Sequence, residues 1–365
     1  MLKDLSNDVL EAIEPVDINY YHKAQIRLDN LTKPKGSLGR LEELAGLIAA
    51  ITRNLKPSIK RKIIFTMAGD HGVCEEGVSA YPQEVTPQMV YNFLRGGAGI
   101  NVLARHIGAD VIVVDMGVKE NIKNQISKIK YRTSNIKNFK DKKVNYGTKN
   151  FVREPAMTKE EAYKSLMGGI EAFLEAYREE KIDIVGVGDM GIGNTTPSSA
   201  IVAAITGEDV ELVTGRGTGI DEATFIRKVE AIRKALSLHS PNPKDPVDVL
   251  SKVGGFEIGG IAGVVLAAAS KRVPVVVDGF IAACGALVAF EMCPKIKDYL
   301  IAAHRSVEAG HMAILKHINL RPLLNLDMRL GEGTGAALGI SIVEAAVKIF
   351  TEMATFSEAG VSEEL

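Results

Sequence analysis

Val185-Gly186-Val187-Gly188-Asp189-Met190-Gly191-Ile192-Gly193-Asn194-Thr195-Thr196-Pro197 is the stretch whose reading decides the fold. It continues an apolar run (Ile182, Ile184, Val185, Val187), breaks into alternating glycines, and closes on Asn-Thr-Thr-Pro before a small-residue segment. β-Branched residues suit a buried strand, and Asn or Thr just ahead of proline marks a helix start. Strand, glycine loop and helix N-terminus in succession make an anion pocket. Backbone N–H groups point outward, the helix dipole favours negative charge, and missing Cβ atoms admit a phosphate. A tight αβ turn uses the same glycines for their dihedrals alone, so the loop by itself leaves both readings open.

Working outward, three more runs share the character of Ile182 to Gly188: Lys62 to Ala68, Asp110 to Met116 and Val273 to Asp278. Continuous apolar strands separated by helical segments are what a parallel sheet covered on both faces requires. Helical spacing is read at Asp8 to Ile13, Leu41 to Ile51, Gly260 to Ser270, Gly335 to Lys348 and Ile340 to Ala354. The lysine-rich segment Lys119 to Lys149 reads as a solvated excursion. The fold class is therefore α/β, a doubly wound parallel sheet with helices on both faces. Residues 1–30 with 345–365 are expected to form a small helical subdomain beside a large domain of residues 31–344.

In open α/β sheets ligands bind beyond the carboxyl ends of the strands. Met67-Ala68-Gly69-Asp70-His71-Gly72, Asp115-Met116-Gly117, the Asp189 loop and Asp278-Gly279 all fall at such ends. Four ends of one composition predict one shared pocket.

Composition narrows the function. With 46% apolar residues in 365, a sizeable core can be buried, and a formal charge of −1 gives no footprint for nucleic acid or a membrane surface. Aromatic residues make up 5% of the chain and Trp is absent, which removes a stacking platform for single strands. Cys74, Cys284 and Cys293 have no CxxC spacing, which argues against a disulfide framework and suits a reducing cytoplasm. The start of the chain is acidic and lacks a long apolar core, so no signal peptide is expected. The longest apolar run, Ile258 to Ala269, is too short to span a bilayer. A soluble cytoplasmic protein is the expectation.

Three further segments carry chemistry. Thr214-Gly215-Arg216-Gly217-Thr218-Gly219, followed by Arg227 and Lys228, suits either a phosphate reader or a solvated basic turn. His304-Arg305-Ser306-Val307-Glu308-Ala309-Gly310-His311 offers a hydroxyl and two imidazoles, against the plain alternative of structural histidines. Leu330-Gly331-Glu332-Gly333-Thr334-Gly335 isolates one carboxylate among glycines before an apolar helix. Glu332 there is either a dipole-stabilising residue or a general base whose apolar setting raises its pKa. No HExxH pair and no G-x-S-x-G elbow occurs, so neither metal nor acyl-enzyme chemistry is predicted. A phosphate-bearing substrate, a carboxylate base and no cofactor remain.

Six segments in order are similar to one family: Lys33 to Glu42 (KPKGSLGRLE), Ala68 to Val73, Gly77 to Pro82, Gly191 to Thr196, Gly215 to Gly219 and Arg329 to Gly335. The chain resembles the nicotinate-nucleotide–dimethylbenzimidazole phosphoribosyltransferases, which assemble the lower ligand of cobalamin. That resemblance implies a Rossmann-like sheet, a small helical domain from both termini, a homodimer and no metal or redox cofactor. It also implies transfer of phosphoribose from nicotinate mononucleotide to dimethylbenzimidazole with inversion at the anomeric carbon. By the family's motifs Glu332 is the base, and Ser79, Tyr81, Pro82, Gln88 and Met190 line the benzimidazole site. Asp189, Gly191, Gly193, Asn194, Lys228 and Ser306 hold the phosphoribosyl group. The chain departs from the pattern at Asp189, one methylene shorter than the glutamate of many relatives. The same chemistry on another lower-ligand base, and a non-catalytic nucleotide-binding homologue, stand as the alternatives. Intact Glu332 between its glycines argues against the second.

Overall fold

The structure, a computed structural model, describes residues 8–126, 138–217 and 219–362. Its centre is a six-stranded, wholly parallel sheet: β1 (Lys62–Gly69), β2 (Asp110–Gly117), β3 (Phe139–Asp141), β4 (Ile184–Met190), β5 (Val275–Val277) and β6 (Leu300–Ala302). The order is β3-β2-β1-β4-β5-β6, so the chain changes direction across the sheet between β1 and β4. That is the switch point beyond whose strand ends a crevice opens. Register sets Met67 beside Asp189 and Ala68 beside Met190, which brings the segment after Ala68 level with the glycine loop.

The alternation of side chains along β1 and β4 explains the two layers of helices. Phe65 points to the face held by the Lys159–Glu179 helix, where its ring centroid lies 6.3 Å from that of Phe173. Ile64, Gly186 and Gly188 point to the other face, beneath the Thr334–Glu352 helix. A Cβ on Gly188 would collide with the Gly333 peptide, and one on Gly186 would press on Ala336. Two glycines that looked like part of an anion loop thus seat a helix on the strand. The glycine-rich helices pack as closely as their composition suggests. A Cβ on Gly169 of the Lys159–Glu179 helix would strike the Gly260 carbonyl of the Phe256–Ser270 helix.

The segments near the two termini meet. Arg27 Nε donates to the Phe350 carbonyl at 2.9 Å, Thr32 N to Ala354 O at 3.1 Å and Phe356 N to Asn30 O at 3.0 Å. The Ile18–Asp29 helix packs on the Arg40–Thr52 helix. Gly335 to Lys348 and Ile340 to Ala354 are one continuous Thr334–Glu352 helix, which runs through residue 345. By length and composition this helix is also long and apolar enough to cross a membrane, but it lies against β4, β5 and the Gly99–Ile107 helix. Strand β3 arises inside the lysine-rich excursion. Lys140 and Lys142 there pair with Glu175, and Lys142 also with Glu171, on the neighbouring helix. Residues 127–137 of that excursion, and residues 1–7 at the start, lie outside the described residues.

Candidate active site

A cleft of about 470 Å³ opens at the carboxyl ends of the strands, on the β4–β5–β6 side of the switch point. The end of β4 (Asp189, Met190) and the loop after it (Gly191, Ile192, Gly193, Asn194) form its floor. Asp189 is buried and accepts a hydrogen bond from Asn194 Nδ2 at 2.9 Å. Burial, and then the charge of Asp278, push its carboxyl well above the usual range. The loop is pinned from outside: Ile192 N donates to Thr86 Oγ1 at 3.1 Å. Gly191 is held against the Gly69 carbonyl and the His71 ring, so its missing Cβ makes room for the protein's own backbone. Gly193 adopts φ +86°, a left-handed conformation natural to glycine. Anion-loop and tight-turn readings of these glycines therefore coexist, one side of the loop facing the cleft and the other packed.

One end of the cleft collects cations and hydroxyls. Thr195, Gly217, Ser306 and Arg329 line it. Lys228 is 1% exposed and sits just behind this wall, its Nζ donating to Thr195 Oγ1 at 2.7 Å and to the Gly215 carbonyl at 3.1 Å. Burial pushes its pKa down to about 8, with Glu308 opposing. Arg227 instead turns outward to Thr224 Oγ1, so Lys228 is the one of the two beside the cleft. Arg216 pairs with Glu222. The glycine-loop residue Thr218 lies outside the described residues.

The other end is apolar. Val78, Ser79, Tyr81, Met190, Leu330 and Gly331 contribute to its lining. Pro82 and Gln88 are exposed and stand outside this lining. Gln83 Nε2 donates to the His71 carbonyl at 2.5 Å, which ties the 79–82 turn to the segment after β1.

Glu332, 5% exposed, is not itself a lining residue; its carboxylate lies next to Leu330, both standing against Gly99. Gly331, Glu332 and Gly333 are all left-handed, at φ +80°, +64° and +98°, so the flanking glycines serve a backbone path that Glu332 alone adopts against preference. Three contacts hold it: Glu332 N donates to Asp189 O at 3.1 Å, Thr66 Oγ1 donates to Glu332 O at 2.9 Å, and Ile100 N donates to Oε2 at 3.0 Å. Burial raises its pKa, the Ile100 N–H works against that, and the charge of Asp278 adds to it.

The deep wall comes from the ends of β5 and β6. Gly279, Phe280, Ile281 and His304 line it. Asp278 accepts from Gly333 N at 3.0 Å and Gly335 N at 2.7 Å, capping the Thr334–Glu352 helix. Its Oδ1 is also 3.5 Å from His304 Nε2. Burial opposes protonation of His304, yet the hydrogen bond and charge of Asp278 outweigh it and hold the imidazole above its usual value. His311 is behind the wall, accepting from Ser306 N at 3.0 Å, and burial pushes its pKa down to about 3.

The expectation of one pocket shared by four strand ends needs correction. Asp70 and Asp115 at the ends of β1 and β2 do not line the cleft. Asp70 Oδ2 accepts from Lys119 N at 2.8 Å, and Asp115 pairs with Lys143 at 2.9 Å. Both acids anchor the excursion. Sequence reasoning assigned no role to Arg329, Phe280 or Glu308, and gave Leu330 only the part of an apolar neighbour to Glu332. Arg329 and Leu330 belong to a segment already singled out, whereas Phe280 carries no local signal beyond following Asp278-Gly279. Among the described residues, no group of three or more His, Cys, Asp or Glu side chains is placed to hold a metal ion.

Comparison with known proteins agrees with this geometry. A family model described as phosphoribosyltransferase matches residues 13–361. The nicotinate-nucleotide–dimethylbenzimidazole phosphoribosyltransferase of Geobacter sulfurreducens is 57% identical over 359 residues, covering 98% of this chain and 99% of that protein. The enzyme of the same name from Desulforudis audaxviator is 53% identical, with 99% of each chain covered. The crystal structure of the Thermus thermophilus enzyme superposes with a TM-score of 0.86 at 43% identity, covering 95% of this chain and 100% of that one. By family model, near-full-length identity and fold, the chain belongs to the phosphoribosyltransferase family that these enzymes represent.

Proposed function

We propose that this chain transfers 5-phosphoribose from nicotinate mononucleotide to 5,6-dimethylbenzimidazole, giving α-ribazole 5′-phosphate and nicotinate for the nucleotide loop of cobalamin. The observation that carries this reading is one cleft joining an apolar end (Val78, Tyr81, Met190, Leu330) to a phosphate-suited end (Thr195, Ser306, Arg329, with Lys228 behind), and Glu332 beside the apolar end. Relatives named for these two substrates support it.

The chemistry asks little of the protein beyond position and one base. The bond between the anomeric carbon and the pyridinium nitrogen breaks, its electron pair returns to the ring, and nicotinate leaves without needing an acid. A benzimidazole nitrogen forms the new bond from the opposite face, inverting the centre from β to α. The proton on its partner nitrogen goes to Glu332, whose raised pKa suits a general base. Ser79, Tyr81 and Met190 would surround the base, with Pro82 and Gln88 at the exposed edge of the same stretch. Asp189, Gly191, Gly193, Asn194, Lys228 and Ser306 would hold the phosphoribosyl group. Fixing two rings on opposite faces of one ribose is chiefly proximity and orientation.

A homodimer, a helical unit formed by both termini, and a cytoplasmic location complete the reading; three unpaired cysteines suit a reducing compartment. The test is incubation with both substrates and a chelator, followed by chromatography. Equal amounts of α-ribazole phosphate and nicotinate are expected. Tight binding of both substrates without product would leave a nucleotide-binding homologue instead.

A further inference from the structure

Substrate geometry leaves one wall of the cleft without a role. With the acceptor ring at the apolar end and the phosphate at the Lys228 end, displacement with inversion sends the leaving ring to the side away from the acceptor. Once Glu308, which accepts from Gly217 N at 3.4 Å, is placed with the phosphate end, Gly279, Phe280, Ile281 and His304 are the lining residues that remain. Phe280 and Ile281 offer apolar surface, and His304 is the ionisable group among them.

We propose that His304 is a specificity-determining residue that recognises the carboxylate of the leaving nicotinate and so separates it from nicotinamide. This rests on the transferase reading above. His304 is 2% exposed, lines the cleft, and has an Nδ1 with no hydrogen-bond partner among the described residues. Its ring is held in place: a Cβ on Gly335 would collide with it, and one on Gly279 would lie 3.3 Å from Nε2. Behind it Asp278 stands 3.5 Å from Nε2 while accepting backbone N–H groups of Gly333, Gly335 and Ala336. Those N–H groups and their helix dipole offset the aspartate's charge, so it orients the imidazole without cancelling its attraction for an anion. The N-terminus of the Phe280–Met292 helix, capped by Gly279 with no side-chain bond, adds positive potential to the same wall. A carboxylate there gains a charge-assisted hydrogen bond, whereas a neutral carboxamide leaves the imidazolium desolvated and unpaired.

The experiment is calorimetric titration of nicotinate, nicotinamide and ribose 5-phosphate into the wild-type protein, His304→Gln and His304→Asn, with turnover measured alongside. Wild type should bind nicotinate at least tenfold tighter than nicotinamide, and His304→Gln should lose that preference while keeping its affinity for ribose 5-phosphate. His304→Asn, a smaller side chain, serves if the glutamine variant lacks a cooperative melting transition. An unchanged preference in the folded variants overturns the inference. So does a loss confined to ribose 5-phosphate, which would place His304 at the phosphate. Failure of wild type to make product would overturn the transferase reading, and the titrations would still decide what His304 recognises.

Discussion

Glu332 Oε2 accepts a hydrogen bond from the backbone N–H of Ile100 at 3.0 Å, in the first turn of the Gly99–Ile107 helix. The carboxylate assigned as base is therefore also a helix cap supplied from a distant segment. Glu332→Gln keeps an oxygen for Ile100 while removing the basic group. Turnover should fall by roughly 10²-fold or more with little change in melting temperature. Glu332→Ala should lose the cap as well, about 1 kcal/mol of stability. Steady-state kinetics and thermal denaturation on both variants check this, and wild-type turnover in Glu332→Gln would remove the residue from the role.

Lys228 gives the reaction an alkaline limit. Its ammonium, 2.7 Å from Thr195 Oγ1, titrates near about 8 because burial disfavours the charge. Below that value it is cationic and supports the nucleotide's phosphate. As pH rises through it, the KM for the nucleotide should climb while the KM for the base stays level. The folded value lies below the unfolded 10.5, so stability should rise between about 8 and that value as the folded chain sheds its proton first. In Lys228→Met the alkaline rise in KM should vanish. A profile that persists there would assign the limb to another group.

Asp278 links two functions, capping the Thr334–Glu352 helix and facing His304. His304 is held above its usual 6.5, so its contribution to stability is full below the unfolded value and disappears as pH rises through the folded one. Asp278→Asn should lower the melting temperature at all pH values through the weakened cap. It should also flatten the difference in stability between about pH 5 and pH 8 that wild type shows. An undiminished pH dependence in the variant would break the connection between the two residues.

The sequence made the sheet legible because β1, β2 and β4 are apolar nearly throughout, as burial on both faces requires. Strand β6 stayed hidden because Leu300–Ala302 is three residues long and follows a turn of 3₁₀ helix, too short for any period. Strand β3 stayed hidden because Lys140 and the neighbouring Lys142 read as solvated, although Lys140 pairs with Glu175 and Lys142 with Glu171 and Glu175. The helix over Thr334–Glu352 looked like two because glycine and alanine fill its first turns, while Ile340, Val343, Val347 and Phe350 carry the apolar spacing of the rest. In the site, glycine-flanked Asp189 and Glu332 were visible from local pattern. Arg329, Phe280 and the partnership of His304 with Asp278 depend on segments brought together only by the sheet order.

Gly188 offers the sharpest test of how the fold delivers the base. It sits on β4 with its bare face against the Glu332–Gly333 peptide, and any Cβ would collide there. The same peptide is fixed by Thr66 Oγ1 and Asp278 Oδ2, and the one before it by the Asp189 carbonyl. Gly188→Ala must therefore push the 331–335 segment outward, lifting Glu332 from Ile100 and loosening the helix that follows. Overpacking of this kind costs roughly 1–3 kcal/mol, and a shift near 1 Å at the reacting groups costs about 10²-fold in rate. Both losses are expected together, since one displacement causes them. Ala336→Gly, in the first turn of the same helix, has no such clash and should lower stability by roughly 1 kcal/mol with turnover nearly intact. Equal rate losses in the two variants would show that general loosening, rather than displacement of Glu332, accounts for the effect.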